Sequence, residues 1–199
     1  MFTIGLLIGI VYASFFEWWL HKNVMHKPLG KFEYPFNAHA IIHHTTFKAD
    51  HTYHLIRDSD KMTIPMKWWN GPVLTLVAQI PFLIASILFS NYWIVFGSTC
   101  AVAAYYCTYE YIHWCMHLPT KERKRLIERS WFFYRLNGHH LLHHRYMHKN
   151  FNVVLPLADL LLGTFLPRSK VCFAQATGPS VPDVQPLIRN EDLSSTLRS

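Results

Sequence analysis

Two long parts of this chain, 1–20 and 71–118, contain neither lysine nor arginine. All 19 basic residues fall between Lys22 and Lys67 or between Lys121 and Arg198. The basic-free parts hold three apolar runs. Run 2–20 has one charge, Glu17; run 73–89 has none; run 92–112 has only Glu110. A helix that crosses a bilayer needs roughly 20 mostly apolar residues. The three runs therefore predict three membrane spans, the middle one slightly short. Pro81 and Gly97 are compatible with this, because spanning helices tolerate both. Ser90-Asn91 predicts a tight hairpin between the second and third spans.

Charge then sets the topology. Cytoplasmic segments of membrane proteins are enriched in Lys and Arg. The N-terminus is placed outside, 21–71 in the cytosol, and 113–199 in the cytosol, so that every basic residue lies on one side. The excess of basic over acidic residues, 19 against 12, follows from this topology. It does not form the clustered footprint of a nucleic-acid-binding face. Half the residues are apolar and only 16% are charged, which excludes an intrinsically disordered chain. The four cysteines (Cys100, Cys107, Cys115, Cys172) have no framework spacing and are read as reduced thiols. The first run lacks a basic leader and a small-residue cleavage site, so it is read as a retained anchor. A shorter apolar run, 153–166, is broken by Pro156, Asp159 and Gly163 and fits an interfacial or packed helix. The expected fold is an all-α integral membrane domain over 1–168, with three spans and a cytosolic helical cap. A polar, irregular tail follows over 169–199.

The chain has 14 histidines, more than its aspartates and glutamates combined. Ten fall into four groups on the cytosolic side: His21 and His26; His39, His43 and His44; His113 and His117; His140, His143 and His144. Residues three and four apart share a helix face. That places His113 with His117, His39 with His43, and His140 with His143 and His144. His44 lies about 100° further round, where it can reach a second metal. His21 and His26, five apart, diverge on a regular helix and require a helix end or a π-type turn, a feature often found at functional sites.

Imidazole suits Zn, Cu, Fe and Ni. A structural zinc takes four ligands, so ten histidines imply two metals. Glu17 lies four residues before His21 and Glu110 three before His113. Both are candidates to orient a metal-bound imidazole from behind, and Glu110 also for direct ligation. His51, His54 and His148 extend the groups without a motif of their own, and His139 would complete an H-x3-H version of the last group with His143.

These groups resemble the fatty acid hydroxylase superfamily, also called the sterol desaturase family. The resemblance covers about 17–164 and rests on the order H-x4-H, H-x3-H-H, H-x3-H, H-x2-H-H. It also rests on the stretch from Gly138 to Thr164, with its Asn-Phe and its Asp159, Gly163 and Thr164. Two departures stand out: three residues separate His39 from His43 where the family often has two, and three spans are found where larger members have four. The resemblance implies a di-iron centre held by His21, His26, His39, His43, His44, His113, His117, His140, His143 and His144. It implies O2-dependent oxidation of a lipid C–H bond, hydroxylation foremost, with carotenoid hydroxylation or lipid or sterol desaturation as alternatives. Zinc can replace iron in purified protein. The host membrane is a bacterial inner membrane or the endoplasmic reticulum.

The chain has no dinucleotide fingerprint and no cysteine set for an iron–sulfur cluster. A separate donor, a ferredoxin or a b-type cytochrome with its reductase, is therefore expected. The basic run 121–129 is a docking candidate or a juxtamembrane face near anionic lipid. Two other readings compete. A zinc or copper carrier favours polar ligands inside the spans, whereas these lie at the ends and beyond. A bis-histidine cytochrome needs only two or four histidines.

Overall fold

A computed structural model of the chain describes residues 1–168 and, beyond them, only the backbone of 171–174 and 183–186. The described body is helical. Helix α1 (Phe2–Leu20) continues without a break into a π-type segment, His21–Met25. A cap follows, built from α2 (Tyr34–Phe36), a second π-type segment (Asn37–His43) and α3 (His44–Thr46). Helices α4 (Asn70–Ala78) and α5 (Ile80–Leu88) form one rod interrupted at Gln79, where Pro81 cannot donate to the preceding turn. Helix α6 (Trp93–His117) is the longest and ends at Leu118, the residue before Pro119, where helical geometry is disfavoured. Helices α7 (Arg125–Glu128), α8 (Trp131–Arg145) and α9 (Leu157–Leu161) complete the cap. Ser130 caps α8 by accepting the Phe133 N–H at 3.2 Å.

Two helical stretches are long and apolar enough to cross a membrane: Phe2–Met25 and Asn70–Leu88. The third expected span is helical throughout but is not among them. The second half of α6 carries Tyr105, Tyr106, Tyr109, Glu110, Tyr111 and His113, which lower its apolarity. The hairpin at Ser90-Asn91 is present, with Ser90 at φ 48°.

Helix α1 runs alongside α6 in the same direction, and glycines set how closely they approach. A Cβ on Gly5 would overlap the Ile94 carbonyl, and one on Gly97 would overlap the Phe2 carbonyl. A Cβ on Gly9 would meet Ala101 and Ser98. Small residues at the contact are what allow two helix backbones to approach this closely. Large apolar side chains point outward instead: Leu7, Ile8 and Val11 on α1, and Leu76, Ile84, Ile87 and Leu88 on the α4–α5 rod. Polar groups point inward: Ser98 donates to Gln79 at 2.7 Å in the interior. An exposed apolar surface of this extent marks a site of interaction.

The run 153–166 contains only the short helix α9, and its Asp159 is fully buried. In the stretch read from sequence as an irregular tail, β1 (Val171–Ala174) pairs antiparallel with β2 (Asp183–Pro186). The rest of 169–199 lies outside the described residues.

Candidate metal centre

The ten histidines of the four sequence groups come together at one end of α1, α6 and α8 in two sets of five. His21, His26, His39, His44 and His143 form the first cluster. His43, His113, His117, His140 and His144 form the second. Within each set, one ring nitrogen per residue lies within 4.8 Å of all the others. Among the described residues, no carboxylate or thiol belongs to either set.

The π-type segments explain the pairing. The segment at 21–25 brings His21 and His26 into one cluster, with rings 5.1 Å apart, as the five-residue spacing requires. The segment at 37–43 does the same for His39 and His44, whose Nε2 atoms are 3.1 Å apart. This corrects the expected pairing. His39 goes with His44, and His43 turns to the other cluster, because the local period is i, i+5 in place of i, i+4. In α8, His140 and His144 share the second cluster, as four-residue spacing dictates, while His143 faces the first. The sequence reading had all three on one side. His113 and His117 stay together as expected.

The nitrogens face one another at close range. In the first cluster, Nε2 of His21 is 2.7 Å from that of His39. His143 is 3.0 Å from His26 and 3.2 Å from His44. In the second, His140 is 3.2 Å from His117 and 3.0 Å from His144, and His113 is 3.2 Å from His43. Protons do not satisfy this arrangement. His117 and His144 donate Nδ1–H to the carbonyls of Tyr53 (2.8 Å) and Phe47 (2.5 Å). Each then turns a bare Nε2 lone pair toward His140, which has one Nε2 proton at most. The Nδ1 atoms of His140 and His44 are buried without partners, and such groups carry a cost of about 1–3 kcal/mol. A cation at the centre of each set resolves the opposed lone pairs.

The surroundings keep the rings neutral. Burial, reinforced by neighbouring imidazoles, pushes His26 down to about 2. Burial holds His43 at about 3 and His143 at about 4, despite opposing hydrogen bonds to the Thr63 and Lys149 carbonyls. His39, His44, His140 and His144 are held well below the usual imidazole range, again by burial first. Neutral imidazole is the ligating form. Backbone carbonyls orient the rings: His21 donates Nδ1–H to Phe151 (2.5 Å), His143 to Lys149 (2.8 Å) and His43 to Thr63 (3.3 Å).

Those carbonyls occupy the place the sequence reading gave to carboxylates. Glu17 touches no histidine. It accepts the Tyr105 hydroxyl (2.6 Å), the Asn152 amide (2.9 Å) and the Val153 N–H (2.7 Å), tying α1 to the loop after α8. Glu110 accepts the Tyr106 hydroxyl at 2.8 Å. The other four histidines stay outside both clusters. His139 is buried against Asp159 (3.1 Å), and His54 meets Arg123 (3.1 Å). His51 and His148 are exposed. Arg123, within the basic run proposed for docking, is tied inward to Glu128 at 2.6 Å and to the Leu118 carbonyl at 2.9 Å. Tyr53 and Asn152, which no sequence motif singles out, are fully or nearly fully buried around the site, as is Asn150 of the Asn-Phe pair. The Asn-Phe-Asn run beside the last histidine group was the one available signal.

Two cavities reach the clusters. One, of about 310 Å³, lies between α1, α4 and α6 and is lined by apolar side chains such as Phe16, Leu20, Val24, Leu74 and Val102, with His21 also in its wall. Two of the tyrosines in its wall are engaged elsewhere: Tyr105 with Glu17, Tyr106 with Glu110. The second, of about 180 Å³, is lined by His39, His43 and His113 with Thr63 and Met66. Comparison with protein-family models, curated proteins and solved structures finds no match to this chain.

Proposed function

We propose that this chain is an integral-membrane di-iron oxidoreductase. It uses O2 to oxidise a C–H bond of a lipid, hydroxylation foremost. The observation that carries the reading is the presence of two five-histidine clusters beside an apolar cavity that has His21 in its wall. His21, His26, His39, His44 and His143 hold one metal; His43, His113, His117, His140 and His144 hold the other. Five imidazoles exceed the four ligands of tetrahedral zinc. Metal–nitrogen bonds of about 2.1 Å put ligands at right angles roughly 3.0 Å apart and tetrahedral ones roughly 3.4 Å apart. The nearest nitrogens here are 2.7–3.2 Å apart, close enough for one ion to be shared. Imidazole-rich sites suit iron, and iron supplies the redox chemistry with O2.

The chain's own groups do the rest. The carbonyls of Phe47, Tyr53, Thr63, Lys149 and Phe151 hold ring orientation. The cavity binds a hydrocarbon tail, since its wall is mostly apolar and its volume lies in the range of ligand pockets. The α6 helix serves as the third span, and the clusters face the cytosol with the basic segments. Electrons come from a separate ferredoxin or b-type cytochrome with its reductase.

The test is lipid and pigment profiling of cells with and without the gene, alongside cells carrying His143→Ala. Lipids that gain one oxygen only with the intact gene support hydroxylation. A loss of two hydrogens replaces it with desaturation. Identical profiles in all three overturn the proposal.

A further inference from the structure

The loop 149–153 supplies carbonyls to two histidines of the first cluster and to none of the second. His21 donates to Phe151 and His143 to Lys149. The carbonyls behind the second cluster belong to Phe47, Tyr53 and Thr63, in other parts of the chain. Each of the two loop carbonyls belongs to a planar peptide group whose opposite end is anchored. The peptide that aims Phe151 C=O at His21 donates its other end, Asn152 N–H, to Asp159 at 2.7 Å. The peptide that aims Lys149 C=O at His143 donates Asn150 N–H to the Thr164 carbonyl at 3.1 Å. Thr164 in turn donates its hydroxyl to the Asp159 carboxylate at 2.6 Å, and its N–H goes to the Asp159 backbone carbonyl at 3.0 Å.

Asp159 is fully buried, and its carboxylate is saturated. One oxygen accepts Phe151 N–H (3.0 Å) and the Thr164 hydroxyl; the other accepts Asn152 N–H and His139 (3.1 Å). A plane clamped at its N–H end fixes where its carbonyl points, so the carboxylate sets both ring orientations from outside the cluster.

We propose that Asp159 is a positioning residue for the first cluster alone, acting through these two peptide groups on His21 and His143. The proposal rests on the reading that the clusters hold metals. Losing a group that orients a metal-bound imidazole typically weakens metal affinity 10–100-fold. Asp159→Asn keeps the shape but turns an NH2 toward donors it cannot accept from. The expected result is a 10–100-fold weaker first cluster beside an unchanged second one.

The experiment titrates the full-length, detergent-solubilised, metal-free protein with Co²⁺ against a competing chelator, following absorbance. Wild type, Asp159→Asn and Thr164→Val are compared, each also combined with His117→Ala or His143→Ala. Thr164→Val removes one of the four donors and keeps the charge; it is expected to cause a smaller loss at the same cluster. It also provides the test if Asp159→Asn does not fold. With His117→Ala, which cripples the second cluster, Asp159→Asn is expected to weaken the remaining site. With His143→Ala it is expected to add little. Two sites of wild-type affinity in both Asp159→Asn and Thr164→Val, or equal weakening of both clusters, overturn the proposal. Wild-type protein that binds no Co²⁺ overturns the metal reading itself and this inference with it.

Discussion

Replacing Gly97 with alanine sets a methyl group against the backbone carbonyl of Phe2, on the opposite helix. Ordinary contact between carbon and a carbonyl oxygen begins near 3.3 Å, and the added Cβ would sit roughly 1 Å inside that limit. The obstacle is backbone on both sides, so no side chain can rotate away. Helices α1 and α6 must move apart by a similar amount. Overpacking of this kind costs about 1–3 kcal/mol, which for a chain of this size lowers the unfolding midpoint by roughly 2–12 °C. The same movement reaches the metal centre, because α1 leads into His21 and α6 carries His113 and His117. The assay is thermal unfolding of the detergent-solubilised protein followed by tryptophan fluorescence, with metal content measured on the same samples. Gly30→Ala is the control: its surroundings are open, and only its φ of +55° is strained, at a cost of order 1 kcal/mol. Gly97→Ala is expected to lower the midpoint more than Gly30→Ala and to reduce bound metal. If Gly97→Ala keeps the wild-type midpoint and metal content, the close α1–α6 packing does not hold the clusters in register.

Three further outcomes are expected. His143→Ala and His117→Ala each remove one metal per chain but from different clusters, so the double variant retains neither; elemental analysis showing one metal still bound in the double variant contradicts the pairing. In the metal-free protein, His43 and His143 titrate at about 3 and about 4 against the ordinary 6.5. The unfolded chain thus takes up protons first: stability is full above pH 6.5 and falls from there toward pH 4, by about 1.4 kcal/mol per unit for each group. Stability that stays level from pH 7 to 5 in chemical denaturation goes against this. Leu74→Trp, which fills the apolar cavity, is expected to abolish product in the lipid profile while leaving both metals bound; unchanged product places the substrate elsewhere.

The sequence exposed the ten histidines because the chemistry demands particular residues at helical intervals. It also exposed the need for a π-type turn, since His21 and His26 cannot meet on a regular helix. Their division into two sets was harder to read. A second π-type segment changes the period between His39 and His44 from four residues to five, and no residue within 37–43 marks that change. Glu17 and Glu110 lie close to histidines in sequence, yet each bonds a tyrosine hydroxyl at 2.6–2.8 Å. Proximity along the chain does not show which way a carboxylate turns. The orienting groups are mostly backbone carbonyls, which every residue has and no sequence pattern marks. The glycines of α1 and α6 were visible as letters, but their contact is between helices more than 80 residues apart. In α6, three of the tyrosines that weaken the case for a third span, Tyr105, Tyr106 and Tyr109, also line the cavity, and the first two bond Glu17 and Glu110.

The most direct measurement is metal analysis combined with X-ray absorption on full-length protein purified from iron-replete cells. The account predicts two irons per chain, each surrounded by nitrogen from about five imidazoles. A single metal, a four-coordinate zinc shell, sulfur ligation or haem would contradict it.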